Sequence, residues 1–137
     1  MKTMISRMAV LGLLSLTTAA AAGAYADSVD LSLLDSLDSG LWQLRAVGGG
    51  NPAPVDKICV GDRARFTQIQ HGDSVCARYV TRTTSNTVTV SYSCRGQGQG
   101  LTTIRKESDK LIHIKSQGIR NNSPFSFSVE ARRTGNC

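Results

Sequence analysis

The clearest pattern in the chain is an alternation of apolar and polar residues on both sides of segment 83–86. If Ser85 and Asn86 form a two-residue turn, segments 76–82 and 87–95 pair as a hairpin in which Tyr79 faces Tyr92. One face is then mostly apolar and contains Ala77, Tyr79, Val88, Val90, Tyr92 and Cys94. The other face carries Arg78, Arg82, Thr89, Ser91, Ser93 and Arg95. This division predicts an antiparallel hairpin with one buried face.

Similar alternation predicts more strands before and after this hairpin. They are expected at 41–47, 54–60, 101–107, 110–117 and 125–132. Many short strands with little helix are typical of an antiparallel meander, which must curl to hide its apolar face and limit its edges. We therefore predict a mostly β domain that forms a small barrel or a strongly curved sheet.

Two short stretches have weaker, helix-like patterns. Segment 27–39 is expected to be a short N-terminal helix or ordered arm that ends at Gly40. Gly61 and Asp62 are expected to start a helix of one or two turns through Phe66, followed by a polar loop at 68–74. Segment 96–100, with three glycines, is expected to be a flexible connection between hairpins.

The N-terminus has the features of a secretory signal peptide. Lys2 and Arg7 precede an apolar run at 8–16, and Ala24-Tyr25-Ala26 offers the small-residue pattern that signal peptidase cleaves. Cleavage after Ala26 gives residues 1–26 as signal peptide and 27–137 as one exported domain, in the periplasm or secreted; Ala24 and Ala22 are alternative cut sites. A retained membrane helix is disfavoured because the apolar run is short for a span of about 20 residues. No cysteine stands at the cut for lipid attachment.

Four cysteines in an exported chain indicate two disulfides. Their wide spacing is unlike the paired cysteines of a zinc site. In the hairpin register above, Cys76 and Cys94 point to opposite faces, so a bond between them is disfavoured. We expect Cys59–Cys76 and Cys94–Cys137, with Cys59–Cys94 and Cys76–Cys137 as the alternative.

Charge and aromatic residues suggest two kinds of binding. Without Lys2 and Arg7 the formal net charge falls from +6 to +4, with no basic run of the kind that binds nucleic acid. The arginines that share one hairpin face form a candidate anion-binding face for an anionic ligand or an envelope protein; the alternative is a solvated face. These are Arg78, Arg82 and Arg95. If the sheet closes, five aromatic residues are candidates to line a cavity for an apolar ligand; otherwise they fill the core. These are Trp42, Tyr79, Tyr92, Phe125 and Phe127.

Catalytic, metal and cofactor motifs are lacking in the sequence. His71 lies in a predicted polar loop and is expected to be solvated, while His113 lies in a predicted strand and is expected to be half-buried or to line a cavity. The two histidines have no acidic partner at a ligand spacing. Segment 96–100 lacks the Lys-Ser/Thr of a phosphate-binding loop. We expect no cofactor, no metal, no nucleic-acid partner and no enzymatic activity.

Three stretches together resemble the exported bacterial family catalogued as domain of unknown function 3617. They are Gly40-Leu41-Trp42, the cysteine spacing with TVTVSYSC ending at Cys94, and the terminal segment 131–137, ARRTGNC. The resemblance covers nearly all of 27–137 and departs after Cys59, where the family often starts a helix with a Thr-Pro-Glu-like sequence. It implies export and an all-β domain, and brings no established activity or catalytic residues.

The sequence therefore favours a non-enzymatic binding or interaction domain of the periplasm. One alternative is a lipocalin-like carrier of a small apolar molecule. Another, by analogy only, is an inhibitor of an envelope-attacking enzyme such as lysozyme.

Overall fold

The computed structural model describes residues 30–137, which form one antiparallel sheet with two short helices. The first helix, α1, is a single turn at Ser32–Asp35, and a 3₁₀ helix spans Arg63–His71. The strands are β1 (Gly40–Ala46), β2 (Lys57–Val60), β3 (Cys76–Thr83), β4 (Thr87–Cys94), β5 (Gly98–Ser108), β6 (Leu111–Arg120) and β7 (Ser123–Gly135). The predicted signal peptide lies outside the described residues.

The seven strands lie in the order β2-β1-β7-β6-β5-β4-β3. Strands β3 to β7 follow one another as a meander of hairpins, and β1 then pairs with the far side of β7. Within residues 30–137 the sheet does not close, because β2 and β3 are its two edges. The predicted antiparallel, mostly β architecture is confirmed, in its open form.

The core lies between the 3₁₀ helix and one face of the sheet, which we call the inner face. Phe66 of the helix is fully buried and packs edge-on against the ring of Trp42, with 5.0 Å between ring centres. The rest of the core consists of alternate aliphatic residues, among them Leu44, Val60, Val88, Val90, Ile104, Ile112, Ile114 and Val129. The opposite, outer face carries the intervening side chains.

The 3₁₀ helix is longer and more buried than its polar sequence suggests. It begins where the sequence predicts, with the Asp62 carboxylate accepting a hydrogen bond from the Ala64 N–H at 2.9 Å. The chain kinks at Gln68, whose φ of −137° is not helical, and a further turn then reaches His71 where the sequence predicts a solvated loop. Gln68 and His71 are both buried. Gln68 tolerates burial because its amide nitrogen donates to the carbonyls of Gly72 and Ser74 at 2.9 and 2.7 Å.

The predicted register of the β3–β4 hairpin is right at the turn and wrong beyond it. Thr83 pairs with Val88 as expected, but a β-bulge between Val80 and Arg82 shifts all later pairs by one residue. Tyr79 therefore faces Ser91 rather than Tyr92. A single extra residue in one strand reverses the face of every side chain beyond it, here those of residues 76–80 on the side away from the turn.

This bulge also overturns the predicted disulfides. Cys76 lies directly opposite Cys94, with Cα atoms 4.1 Å apart, and the two are bonded. The second disulfide joins Cys59 to Cys137, whose Cα atoms are 5.7 Å apart. Cys59 comes within reach because β1 pairs on one side with β2 and on the other with the end of β7. The expected pairs Cys59–Cys76 and Cys94–Cys137, and their crossed alternative, are wrong.

The glycine-rich segment 96–100 is a tight hairpin turn rather than a flexible connection. The N–H of Gln97 donates to the carbonyl of Cys94 at 3.0 Å, and Gly98 is already the first residue of β5.

Two disulfides in this small domain indicate an oxidising compartment outside the cytoplasm.

Candidate binding face of the sheet

The outer face carries two rows of side chains that run across the strands from β3 to β7. Cross-strand partners share a face, so each row is given by the strand register. The first, which we call the Lys115 row, consists of Arg82, Thr89, Thr103, Lys115 and Ser128. The second, the Gln117 row, consists of Tyr79, Ser91, Leu101, Gln117 and Ser126.

A groove of about 790 Å³ lies where these rows meet the loop after β1. Its floor includes Thr103, Lys115 and Gln117, and its wall is the loop from Val47 to Asn51. A second groove, of about 550 Å³, continues from it along the Gln117 row and shares part of its lining. Together they form one open depression with a mixed polar and apolar lining.

The wall of the groove is attached to β7 by backbone hydrogen bonds. The Val47 N–H donates to the Ser128 carbonyl at 3.1 Å, and the Ser128 N–H donates to the Asn51 carbonyl at 3.2 Å. The Asn51 side-chain amide also donates to the Ser126 carbonyl at 3.2 Å. These bonds hold the loop against the sheet and so fix the wall of the groove.

The electrostatics of the two rows are one-sided. In the part of the chain that the structure describes, neither Lys115 nor Arg82 forms an ion pair. The carboxylates of the outer face lie outside the rows and are paired. Glu130 contacts Arg132 at 3.3 Å, and Glu107 contacts Arg105 and lies 3.7 Å from His113. The rows therefore offer cations, hydroxyls and amides to an incoming ligand.

Three apolar side chains are exposed on the same face. Tyr79 is 65% exposed at the β3 end of the Gln117 row, and Leu101 is 39% exposed near its centre. Ile119 is 45% exposed and lines the second groove. An aromatic and two aliphatic surfaces among polar groups make the face suited to a ligand that has both apolar and hydrogen-bonding sides.

Behind the outer face lies a buried polar network on the inner side. His71 Nδ1 lies 3.1 Å from the hydroxyl of Tyr92, and the Ser116 hydroxyl lies 2.7 Å from that of Thr102. The Ser116 hydroxyl also lies close enough to Tyr92 to lower the pKa of its hydroxyl, so the two pairs are neighbours. These four residues are all buried, which sets the network apart from the open grooves.

Burial determines the protonation states in this network. It raises the pKa of Tyr92 to about 12, against a smaller opposing effect of the Ser116 hydrogen bond. It also lowers the pKa of His71, and the positive charge of Arg120 acts in the same direction. The backbone carbonyls of Gln97 and Ile119 oppose the shift. Both rings are neutral at pH 7, and the expectation that His71 is solvated is wrong.

Glycines make room for this network in the sheet. A Cβ atom on Gly100 would lie 2.5 Å from the Tyr92 hydroxyl oxygen. A Cβ atom on Gly118 would lie 2.1 Å from the backbone oxygen of Gln99. An aromatic ring that covers a glycine restores the burial that the missing side chain forfeits. Of the glycines in 96–100, Gly98 and Gly100 therefore serve packing, whereas Gly96, with open space around it and a φ of 73°, serves the turn.

The arginines of the predicted anion-binding face do not form one surface. The bulge turns Arg78 to the inner face, where its guanidinium donates to Thr67 Oγ1 at 3.1 Å and to Gln68 Oε1. Arg82 stays on the outer face opposite Thr89, while Arg95 lies in the turn after β4. Six residues along β4 separate the last two positions, about 20 Å.

The predicted aromatic lining is likewise divided between the two faces. Trp42, Tyr92 and Phe127 are buried in the core, whereas Tyr79 is exposed on the outer face. Phe125 is half-buried and stacks near Phe127, with ring centres 6.3 Å apart. The five residues do not line one cavity.

The polar residues that line the groove are not among the site residues predicted from the sequence. Lys115, Gln117, Ser126 and Ser128 all occupy the polar phase of strands that the alternation predicts. The alternation shows that these residues face away from the core, but the strand order decides which of them become neighbours. His113 lies on this face, half-buried, with Glu107 as an acidic neighbour that its spacing did not indicate.

Searches for a metal site or a membrane-spanning helix in the described residues, and for similar proteins, gave no match. Residues 30–137 contain no group of three or more acidic, histidine or cysteine side chains placed to hold a metal ion. No helix in the same range is both long and apolar enough to cross a membrane. Comparison with known proteins found no matching family model, no similar curated protein and no similar solved structure.

Proposed function

We propose that this chain is a non-enzymatic binding protein of the bacterial envelope that takes an anionic, hydroxyl-rich ligand on its outer face. The observation that carries the proposal is Lys115, an exposed cation on the floor of a groove that hydroxyl and amide side chains also line. Lys115 has no ion pair within residues 30–137, so an incoming anion does not have to displace a carboxylate.

The groups around Lys115 are matched to hydroxyls rather than to an apolar guest. Thr103 and Ser128 are its direct cross-strand partners, and Gln117 and Asn51 complete the lining on either side. Hydroxyl and amide groups both donate and accept hydrogen bonds, which a polyhydroxylated ligand requires. This setting favours an anionic ligand over the apolar molecule of a lipocalin-like carrier, and the open sheet does so too.

A non-enzymatic role fits the placement of the side chains that could act as acids or bases. His71 and Tyr92 are neutral and buried on the inner side, and neither lines the grooves. The outer-face carboxylates of Glu107 and Glu130 are in ion pairs. We propose that the face binds its ligand without changing it, in keeping with the resemblance to an exported family and with a signal peptide at 1–26.

The test is a titration of the ¹⁵N-labelled protein with glucuronic acid linked to N-acetylglucosamine, an anionic disaccharide, followed by NMR. We expect amide shifts in β5, β6, β7 and the 47–51 loop. Lys115→Gln should weaken binding about tenfold, because a charge-assisted hydrogen bond is lost. Lys57→Gln is the matched control, since Lys57 is also an exposed strand lysine, on β2 at the far edge of the sheet. Equal weakening by both substitutions, or shifts elsewhere on the surface, would refute the proposal.

A further inference from the structure

We infer that the outer face binds a linear acidic glycan laid across the strands, an inference that rests on the proposed function. The Lys115 and Gln117 rows each cross five strands, from β3 to β7. Four strand spacings of about 4.8 Å give a footprint of about 19 Å. A site of this length is built for a chain of several units.

The Gln117 row has the chemistry of a sugar-binding surface. The exposed ring of Tyr79 lies at one end, the exposed side chain of Leu101 near the middle, and the polar groups of Gln117 and Ser126 at the other end. A sugar ring has an apolar face of C–H groups and an edge of hydroxyls. It packs its face on the aromatic and aliphatic surfaces and directs its hydroxyls to the hydroxyl and amide groups.

The spacing of the cations argues against a nucleic acid. Arg82 and Lys115 belong to the same row but stand on β3 and β6, three strand spacings apart, or about 14 Å. One strand of a duplex presents a phosphate about every 3.4 Å, so two cations so far apart would leave most phosphates without a partner. A glycan with a carboxylate on every second or third sugar matches the sparse charge.

An extended peptide is also a poor match for this surface. Peptides that join a sheet bind at a free edge, where unpaired backbone groups supply their hydrogen bonds. The rows lie on the face of the sheet, and four of the five strands beneath them, β4 to β7, are paired on both sides, so that only β3, at one end of the rows, offers a free edge. A glycan needs no backbone partner, because side-chain groups satisfy its hydroxyls.

The experiment compares probes of increasing length by calorimetry and NMR. The probes are di-, tetra- and hexasaccharides of alternating glucuronate and N-acetylglucosamine, with oligothymidylate of six nucleotides as the nucleic-acid control. We expect affinity to rise with length and the hexasaccharide to shift amides from β3 to β7. Tyr79→Ala should weaken hexasaccharide binding about fivefold and disaccharide binding less, while Tyr79→Phe should retain binding.

The outcomes separate this inference from the proposed function. If the disaccharide binds at Lys115 and affinity does not rise with length, the linear-glycan inference fails and the proposed function stands. If oligothymidylate binds more tightly than the hexasaccharide, the inference is likewise overturned. If no acidic saccharide perturbs the outer face, both fail.

Discussion

The disulfide between Cys59 and Cys137 should be the stronger of the two covalent constraints on the fold. It closes a loop of 78 residues, whereas Cys76–Cys94 closes one of 18. It ties β2, at one edge of the sheet, to the end of the chain beyond β7. Cys59 and Cys137 are both exposed, so replacing both by serine removes the cross-link without opening a cavity in the core.

The expected loss follows from the loop lengths. In the chain-entropy account, a cross-link stabilises by reducing the freedom of the unfolded chain, and the effect grows with the logarithm of loop length. A separation of 78 residues gives about 4.5 kcal/mol and one of 18 residues about 3 kcal/mol. Because a domain of this size is stable by about 5–15 kcal/mol, the double variant should be folded but markedly less stable.

Guanidinium chloride unfolding, followed by the fluorescence of Trp42, measures this loss. Trp42 is the single tryptophan and is fully buried, so its emission reports on the core. The double variant Cys59→Ser/Cys137→Ser should lose about 4–5 kcal/mol of unfolding free energy. A loss below about 2 kcal/mol would refute the reasoning, because the long loop would then contribute less than the short one is expected to.

A digest without reductant checks the pairing itself. Trypsin should release peptide 66–78, with Cys76, linked to peptide 83–95, with Cys94. In the native protein it should also release peptide 58–63 linked to peptide 134–137. Any other linkage would contradict both the bulge in β3 and the energetic estimate.

Three further substitutions test the buried side of the sheet by chemical unfolding. The pKa of His71 is lowered in the folded protein, so below about pH 6.5 the unfolded chain binds more protons than the folded one. The free energy of unfolding should therefore keep its full value above the ordinary histidine pKa of 6.5 and fall as the pH drops below it. His71→Gln should reduce that fall between pH 7.5 and 5; a profile identical to that of the unsubstituted protein would contradict this. Gly118→Ala should destabilise by about 1–3 kcal/mol because its Cβ meets backbone of the adjacent strand, while Gly61→Ala, with open space around it, should be near neutral, and equal effects would argue against the close packing. Arg78→Lys should lower stability by about 1–3 kcal/mol because it breaks hydrogen bonds to the 3₁₀ helix, yet leave saccharide binding unchanged; weaker binding with unchanged stability would return Arg78 to a ligand-binding role.

The order and approximate extent of most strands are local properties of the chain. Alternating side chains predict β1 and the β5–β6 hairpin because a half-buried strand needs one apolar face. Asn121 and Asn122 both adopt positive φ angles, in keeping with the predicted break between β6 and β7. An even number of cysteines indicated two disulfides, and both are present.

Side-chain facing on β3, in contrast, was decided by tertiary packing. The bulge near Thr81 brings Cys76 opposite Cys94 and turns Arg78 toward Gln68 of the 3₁₀ helix. Alternation in the sequence cannot place such an inserted residue, because it does not show the Cys76–Cys94 bond or the contacts with the preceding 3₁₀ helix that the bulge permits. Since side chains on a strand alternate with period two, one misplaced residue exchanged the predicted faces of Tyr79 and Arg78.

The candidate site also depends on tertiary structure, because its residues come from segments far apart in the sequence. Lys115 and Ser128 come from different strands, and the loop at 47–51 reaches them only because β1 pairs with β7. The sequence by itself determines that these residues are polar and lie in or beside strands. The groove exists because the strand order places the loop after β1 beside the polar side of β6 and β7, and long-range pairing depends on the free energy of the whole sheet rather than on any local segment.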